Sequence, residues 1–303
     1  MTAFILPIAM LLDAALGEPK WLWDRIPHPA VLMGRIIGGA DTKFNSGLHR
    51  KFKGILVCAS LVLCAAFLGI LIESLPFGSV LSVLITAILI AQKSLTQHVQ
   101  AVSTALRGSI EDARYAVSMI VGRDTSNMDG PAVARSAIES AAENMSDGVV
   151  APIFWFLIAG LPGLLVYKIV NTADSMIGYK NERYGDFGWA SARFDDVLNW
   201  APARLTAILI ALTSLRTDAF AVITRDAKLH RSPNAGWPEA AIAVVLGISL
   251  SGPRSYDGEM RDFPFVHPEG TPNANADDID ASLSVLWRVW TALLIFALIL
   301  TAF

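Results

Sequence analysis

The 303-residue chain is poor in charge, with 17% Asp, Glu, Lys and Arg where a water-soluble protein usually carries about a quarter. A formal charge of −3 is the wrong balance for a strongly basic nucleic-acid binder, and no nucleic-acid partner is expected. Cysteine is scarce. Cys58 and Cys64 lie on different faces of one apolar run, so both are expected as ordinary buried thiols and not as metal ligands. The N-terminus lacks a basic start and carries Asp13 inside its apolar stretch, which argues against a cleaved signal peptide. Internal repeats and low-complexity segments are missing. So are a Gly-rich phosphate loop, a dinucleotide fingerprint, Cys/His metal spacing and a serine nucleophile elbow.

What the chain does have is apolar sequence, 53% of the whole, gathered into runs at 55–72, 77–92, 149–170, 201–215, 240–250 and 283–303. The first and last approach the roughly 20 residues that cross a bilayer core as a helix. The others are shorter or interrupted and suit tilted, re-entrant or packed helices. The expectation is an all-α, polytopic integral membrane protein forming one membrane-embedded domain over 1–303, with helical segments on the cytoplasmic side.

Along the chain, 1–16 reads as a short apolar helix ended by Gly17-Glu18-Pro19, and 21–29, with two Trp and two Pro, as an interfacial loop. A basic segment follows (Arg35, Lys43, Arg50, Lys51, Lys53), placed in the cytoplasm by the positive-inside rule. Helices 55–72 and 77–92 then form a hairpin. Asp129-Gly130-Pro131 starts a helix that runs to about Met145. Gly160-Leu161-Pro162-Gly163 splits the run 149–170 into a hairpin or a bent pair, and irregular backbone at membrane depth survives only inside protein or beside a polar cavity. The stretch 201–223 is expected as a buried or interfacial helix or half of a hairpin, 276–280 as an acidic loop, and 283–303 as a spanning helix.

Polar residues are dense where these walls begin and end. Arg135, Glu139 and Glu143 share a helical stripe that continues to Asn144 and Asp147; it reads either as a surface Arg–Glu ladder or as acids facing a polar cavity. Lys168, Asn171, Asp174, Ser175 and Gly178 share another face, followed by Tyr179 and Lys180. A carboxylate and a carboxamide at that spacing can hold Mg²⁺, which prefers oxygen ligands. Asp195 and Asp196 stand side by side near Asn199, with Arg193 and Arg204 available to answer their charge or to grip phosphate. Ser232-Pro233-Asn234-Ala235-Gly236 is a turn whose backbone N–H groups could cradle an anion, between His230 and Glu239. This set suits metal-assisted phosphate chemistry and names no substrate.

Taken in order, these stretches resemble the CobD/CbiB family of adenosylcobinamide-phosphate synthases. The resemblance rests on Leu12-Asp13, Gly17-Glu18-Pro19, His28-Pro29 and Met33-Gly34, then on Val121-Gly122-Arg123-Asp124-Thr125 and Glu139-Ser140-Ala141-Ala142-Glu143-Asn144. It continues through Asp147-Gly148-Val149-Val150-Ala151-Pro152, Tyr167-Lys168, the run from Asn171 to Lys180, Ala192-Arg193-Phe194-Asp195-Asp196 and Pro202-Ala203-Arg204. Ser232-Pro233-Asn234-Ala235-Gly236 and Asp257-Gly258 complete it, and the last 40 residues match least.

The resemblance implies an enzyme of cobalamin biosynthesis in the cell membrane of a bacterium or archaeon, with its site toward the cytoplasm. A propionate carboxylate of the corrinoid adenosylcobyric acid would be joined to (R)-1-amino-2-propanol phosphate, or to the related threonine phosphate, with ATP and Mg²⁺. A carboxylate does not condense with an ammonium at neutral pH, so an acyl phosphate made from ATP is expected. Asn171, Asp174, Asp195, Asp196 and Asn199 would hold the metal. Arg123, Asn144, Ser175, Tyr179, Lys180, Arg193, Arg204, Ser232 and Asn234 would bind substrate and phosphates. Glu139, Glu143, Asp147 and Lys168 would carry the chemistry, one of the glutamates taking a proton from the attacking amine. Partners would be the bilayer and other membrane enzymes of the nucleotide-loop pathway. The main alternative is an AmpE-like non-catalytic membrane sensor or accessory protein; a prenyltransferase and a transporter fit less well.

Overall fold

Pro29 begins a helix rather than ending a loop. Its missing N–H is harmless in a first turn, and His28 caps the helix, its Nδ1 accepting from the Ala30 amide at 3.1 Å. The computed structural model describes residues 2–256 and 259–302; Asp257-Gly258, part of the family-like pattern, lies outside the described residues.

The helices are α1 (Thr2–Leu16), α2 (Lys20–Trp23), α3 (Pro29–Phe44), α4 (Arg50–Glu73), α5 (Gly78–Leu89), α6 (Gln92–Gly108), α7 (Ile110–Ser118), α8 (Gly130–Met145), α9 (Ala151–Ile177), α10 (Trp189–Leu198), α11 (Trp200–Thr213), α12 (Ala219–Asp226), α13 (Gly236–Leu246) and α14 (Ala276–Leu300). Four strands of two or three residues, β1 (Leu250–Ser251), β2 (Arg254–Tyr256), β3 (Glu259–Arg261) and β4 (Phe265–Val266), make two antiparallel pairs, with Leu250 opposite Val266 and Ser255 opposite Met260. The stretches Arg50–Glu73, Gly78–Gly108, Gly130–Ile177 and Ala276–Leu300 are long and apolar enough to cross a membrane. The chain is therefore an all-α polytopic membrane protein, apart from these short strands. The stretch 201–223, expected as one buried or interfacial helix or half of a hairpin, is two helices, α11 and the start of α12, and neither has the length of a span.

The chain forms two compact units, each discontinuous in sequence. The first holds residues 1–91, 151–199 and 297–303, hence α1–α5, α9 and α10. Here α4 lies against α9 closely enough that a Cβ at Gly69 would overlap Pro162, and one at Gly54 would overlap the Phe187 carbonyl. The core is Ile37, Tyr167, Val170, Ile177 and Phe187 with their neighbours. The expected break in α9 falls at Ala159–Gly160, where Gly160 takes φ 61°. The freed amide of Leu161 donates to Glu73 Oε1 at 2.8 Å, so a carboxylate from the end of α4 caps the resumed helix. A groove of about 650 Å³ between α3, α4 and α9 is lined by Met33, Leu56, Leu61, Leu68 and Leu165, and by none of the polar candidates. Cys64 also lines this groove and is exposed; only Cys58 is buried, which corrects the expectation of two buried thiols.

The second unit holds residues 92–150 and 200–296, hence α6–α8, α11–α13, the strands and most of α14. Helix α8 is buried along most of its length, and α11 packs along α13. The acidic stretch 276–280, expected as a loop, is the first turn of α14. Acids are favoured there by the exposed amides of a helix N-terminus, and Arg107 on α6 reaches Asp277 and Asp280 at 2.5 and 2.8 Å.

Candidate active site

In the first unit, Lys168, Asn171, Asp174 and Ser175 ride the last turns of α9, and α10 carries Arg193, Asp195 and Asp196, with Asn199 at its C-cap. Asp195 is buried. Asn171 Nδ2 donates to its Oδ1 at 3.2 Å and Asn199 Nδ2 to its Oδ2 at 3.0 Å, while the Tyr167 hydroxyl donates to Asn199 Oδ1 at 3.0 Å. Burial, with the charge of Asp174 next, pushes the Asp195 carboxyl up to about 7 despite these donors. Asp196 pairs with Arg193 at 3.2 Å. The Asp174 carboxylate has no hydrogen bond among the described residues, and Gly178 leaves room for it. Carboxylates gathered in one place are a setting a cation relieves. A Mg²⁺ ion needs only one or two of them beside substrate phosphates. The three aspartates nevertheless do not form a tight cage. Among the described residues, the His/Cys/Asp/Glu group whose ligand atoms close to within 4.8 Å is Asp226, His267 and Glu269, and Arg225 already bridges its two acids. Ser175 donates to the Asn171 carbonyl at 3.0 Å, and Tyr179 and Lys180 lie exposed beyond the helix end.

In the second unit the centre is Glu139, 2% exposed. Its Oε2 accepts from Arg123 Nη2 at 2.6 Å and lies 3.4 Å from Arg254 Nη2, and its Oε1 accepts from the Ser251 amide at 2.7 Å. Arg254 also donates to Ser251 Oγ. The Arg135–Glu139 ladder does not form, because Arg135 Nη1 instead donates to the Pro272 carbonyl at 2.6 Å. Glu143 and Asn144 are exposed, Asn144 donating to the Ser140 carbonyl at 2.9 Å. With the Glu139 oxygens occupied, Glu143 is the more accessible of the two glutamates for proton transfer. Asp147 is half-buried in a π-turn, Ser146–Val150, the kind of irregularity that recurs at functional sites.

The turn 232–236 is closed on itself. Ser232 N donates to His230 Nδ1 at 3.1 Å, and the amides of Asn234 and Ala235 both donate to Ser232 Oγ at 3.2 Å. Three amides of the turn that could have cradled an anion are thus taken up inside it. Arg204 lies between the Trp200 and Trp237 rings, 4.6 Å from each, and its Nη1 donates to the Trp200 carbonyl and to Asn234 Oδ1. Its guanidinium anchors the turn. Burial, with Arg254 nearby, lowers the His230 imidazole to about 4, so it is neutral at pH 7, 3.5 Å from Glu239.

Sequence reasoning gave no role to Arg254 or Ser251, and none to the Tyr167 side chain or the Trp237 ring, although both lie in stretches it quoted. Arg254 is one arginine after Gly252-Pro253, with no periodic pattern to mark it.

The family model described as CobD/Cbib protein matches residues 6–286. The chain belongs to the CobD/CbiB family. Curated relatives named "Cobalamin biosynthesis protein CobD" include one from Brucella anthropi, 50% identical and aligned over 93% of this chain and 92% of its own. One from a Sinorhizobium species is 47% identical over 97% and 96%. One from Rhodobacter capsulatus is 46% identical over 94% and 93%. No solved structure matches the chain. Both polar centres of this CobD/CbiB chain, around Asp195 and around Glu139, fall inside the matched span.

Proposed function

We propose that this chain is a cobalamin-biosynthesis enzyme that forms the amide between a propionate carboxylate of adenosylcobyric acid and an aminopropanol phosphate, consuming ATP with Mg²⁺. The reading is supported by family membership over nearly the whole chain. The observation that carries the chemistry is the contrast between the two centres. One is a cluster of carboxylates and carboxamides around Asp195; the other is a pair of guanidiniums on a buried glutamate.

The carboxylate and the ammonium of such substrates do not condense at neutral pH. ATP would phosphorylate the carboxylate with ADP leaving, and the amine would then attack the acyl carbon, breaking the acyl–oxygen bond and releasing phosphate. Asp174 and Asp195 would hold the Mg²⁺, which when bound neutralises phosphate charge. Asn171 and Asn199 orient Asp195 through its two oxygens. Arg123 and Arg254, fixed by Glu139, offer preorganised positive charge to an anionic group. Glu143, exposed one turn beyond Glu139, would take the amine proton. The membrane is the cell membrane, with the site toward the cytoplasm.

The test is direct: the full chain in detergent, given adenosylcobyric acid, aminopropanol phosphate and MgATP, with mass-spectrometric detection of the condensed amide. Product dependent on both ATP and Mg²⁺ is expected. Corrinoid binding with no nucleotide binding and no product would replace this reading with an accessory role.

A further inference from the structure

A cavity of about 250 Å³ in the second unit is lined by charges of both signs. Arg123, Arg254 and Arg135 supply the positive side, and Asp124, Asp129 and Glu139 the negative side. Such a balance neither attracts nor repels a simple anion strongly. It fits a ligand that carries both charges.

The acids differ in what they have left to offer. Glu139 is buried and satisfied by the two guanidiniums and the Ser251 amide. Asp124 accepts from the Ser126 amide and hydroxyl through one oxygen, Oδ1, and these bonds hold its carboxyl below the usual range, hence ionised. Asp129 caps α8 through Oδ1 alone, which accepts from the Ala132 amide at 2.8 Å. Each of these aspartates keeps its other oxygen for a cation. On the basic side, the buried Arg254 has an Nε with no hydrogen-bond partner, and guanidiniums are the side chains best shaped for phosphate. The volume is below the roughly 300–1,000 Å³ of sites that take drug-sized ligands, so the cavity suits a molecule of about ten heavy atoms and not a nucleotide.

We propose that this cavity binds the small zwitterionic substrate, an aminoalkyl phosphate, with its phosphate on Arg123 and Arg254 and its ammonium on Asp124 and Asp129. The assignment rests on the proposed amide-forming function for the ligand's identity, and on the cavity alone for its charge pattern and size. MgATP therefore binds elsewhere. A carboxylate added to the ligand, as in threonine phosphate, meets the acidic side and is disfavoured.

The experiment is calorimetric titration of the full-length protein in detergent with 1-amino-2-propanol phosphate, 1-amino-2-propanol, inorganic phosphate and MgATP, with amide formation assayed in parallel. The zwitterion should bind at least about tenfold more tightly than either half, since a hydrogen bond to a charged group contributes about 1.5–3 kcal/mol. Asp124→Asn and Asp129→Asn, which keep the turn and the cap, should each lower zwitterion affinity by about tenfold while leaving inorganic phosphate unchanged. Arg254→Gln should weaken both. Unchanged zwitterion affinity in all three variants, equal affinity for phosphate alone, or competition by MgATP would overturn the assignment. If wild type makes the amide and the variants still bind normally, the cavity assignment fails and the function stands. If the zwitterion binds and the variants weaken it without amide formation, the cavity assignment stands and the function fails.

Discussion

Gly178 owes its identity to Asp174: a Cβ at position 178 would overlap Asp174 Oδ1. The residue just past the end of α9 thus keeps a carboxylate in place on the last turn. Gly178→Ala is expected to displace that carboxylate and, because the same Cβ would also overlap the Asp174 carbonyl, to shift the last turn of α9 while the rest of the fold holds. A shift of this kind, of about 1 Å, costs on the order of 100-fold in turnover. Steady-state kinetics as a function of Mg²⁺, with circular dichroism as the fold control, measure it. Full activity at ordinary Mg²⁺ would remove Asp174 from the site.

Asp195 ties cation binding to pH. Its carboxyl titrates at about 7 without a metal, and an oxygen ligand must lose its proton to bind a cation. Apparent Mg²⁺ affinity should therefore rise about tenfold between pH 6 and pH 8, the effect of one proton released from one group. Asp195→Asn should flatten that dependence. The same shift has a cost to the metal-free fold. The unfolded carboxyl ionises near pH 4 and the folded one near 7, so this group lowers stability as pH climbs through that interval.

His230 works in the opposite direction. Its imidazole falls from 6.5 to about 4 on folding, so the unfolded chain binds the extra proton first. Stability from this group is complete above pH 6.5 and is lost as pH drops toward 4, by about 3 kcal/mol in all. Because Asp195 changes oppositely over the same interval, the readout is a difference. The fall in melting temperature between pH 7 and pH 5 should be smaller in His230→Gln than in wild type. Equal falls would mean the imidazole is not buried as described.

Glu139 holds two guanidiniums in a protein interior, with Arg254 side-chain exposure of 8%. Removing one partner of a buried ion pair leaves the other uncompensated, at a cost of about 3–5 kcal/mol. Glu139→Ala should destabilise the chain by that amount. Combining it with Arg254→Met should recover part of the loss, a non-additivity that a double-mutant cycle in thermal unfolding would detect. Strict additivity would mean the two side chains do not interact.

Much of this protein was determined by sequence alone, because helices are local. Apolar runs of sufficient length mark α4 and α14. Asp129-Gly130-Pro131 marks the start of α8, and Gly160 with Pro162 marks the break in α9, since the conformations Gly and Pro permit act within one turn of the chain. The polar stripes on α8 and α9 were visible for the same reason: helical periodicity places every third or fourth side chain on one face. Only the tertiary structure decided what those stripes touch. Glu139 is answered by Arg123 and Arg254 and not by Arg135 one turn away; Asn171 reaches Asp195 from another helix; Trp237 faces Arg204 from across the unit. Such pairings depend on which helices become neighbours and how each side chain is aimed, and a buried charge takes whichever partner packing brings within reach. A lone Arg254 carries no local signal, because its role exists only once the chain brings it to Glu139 and leaves the pair out of water.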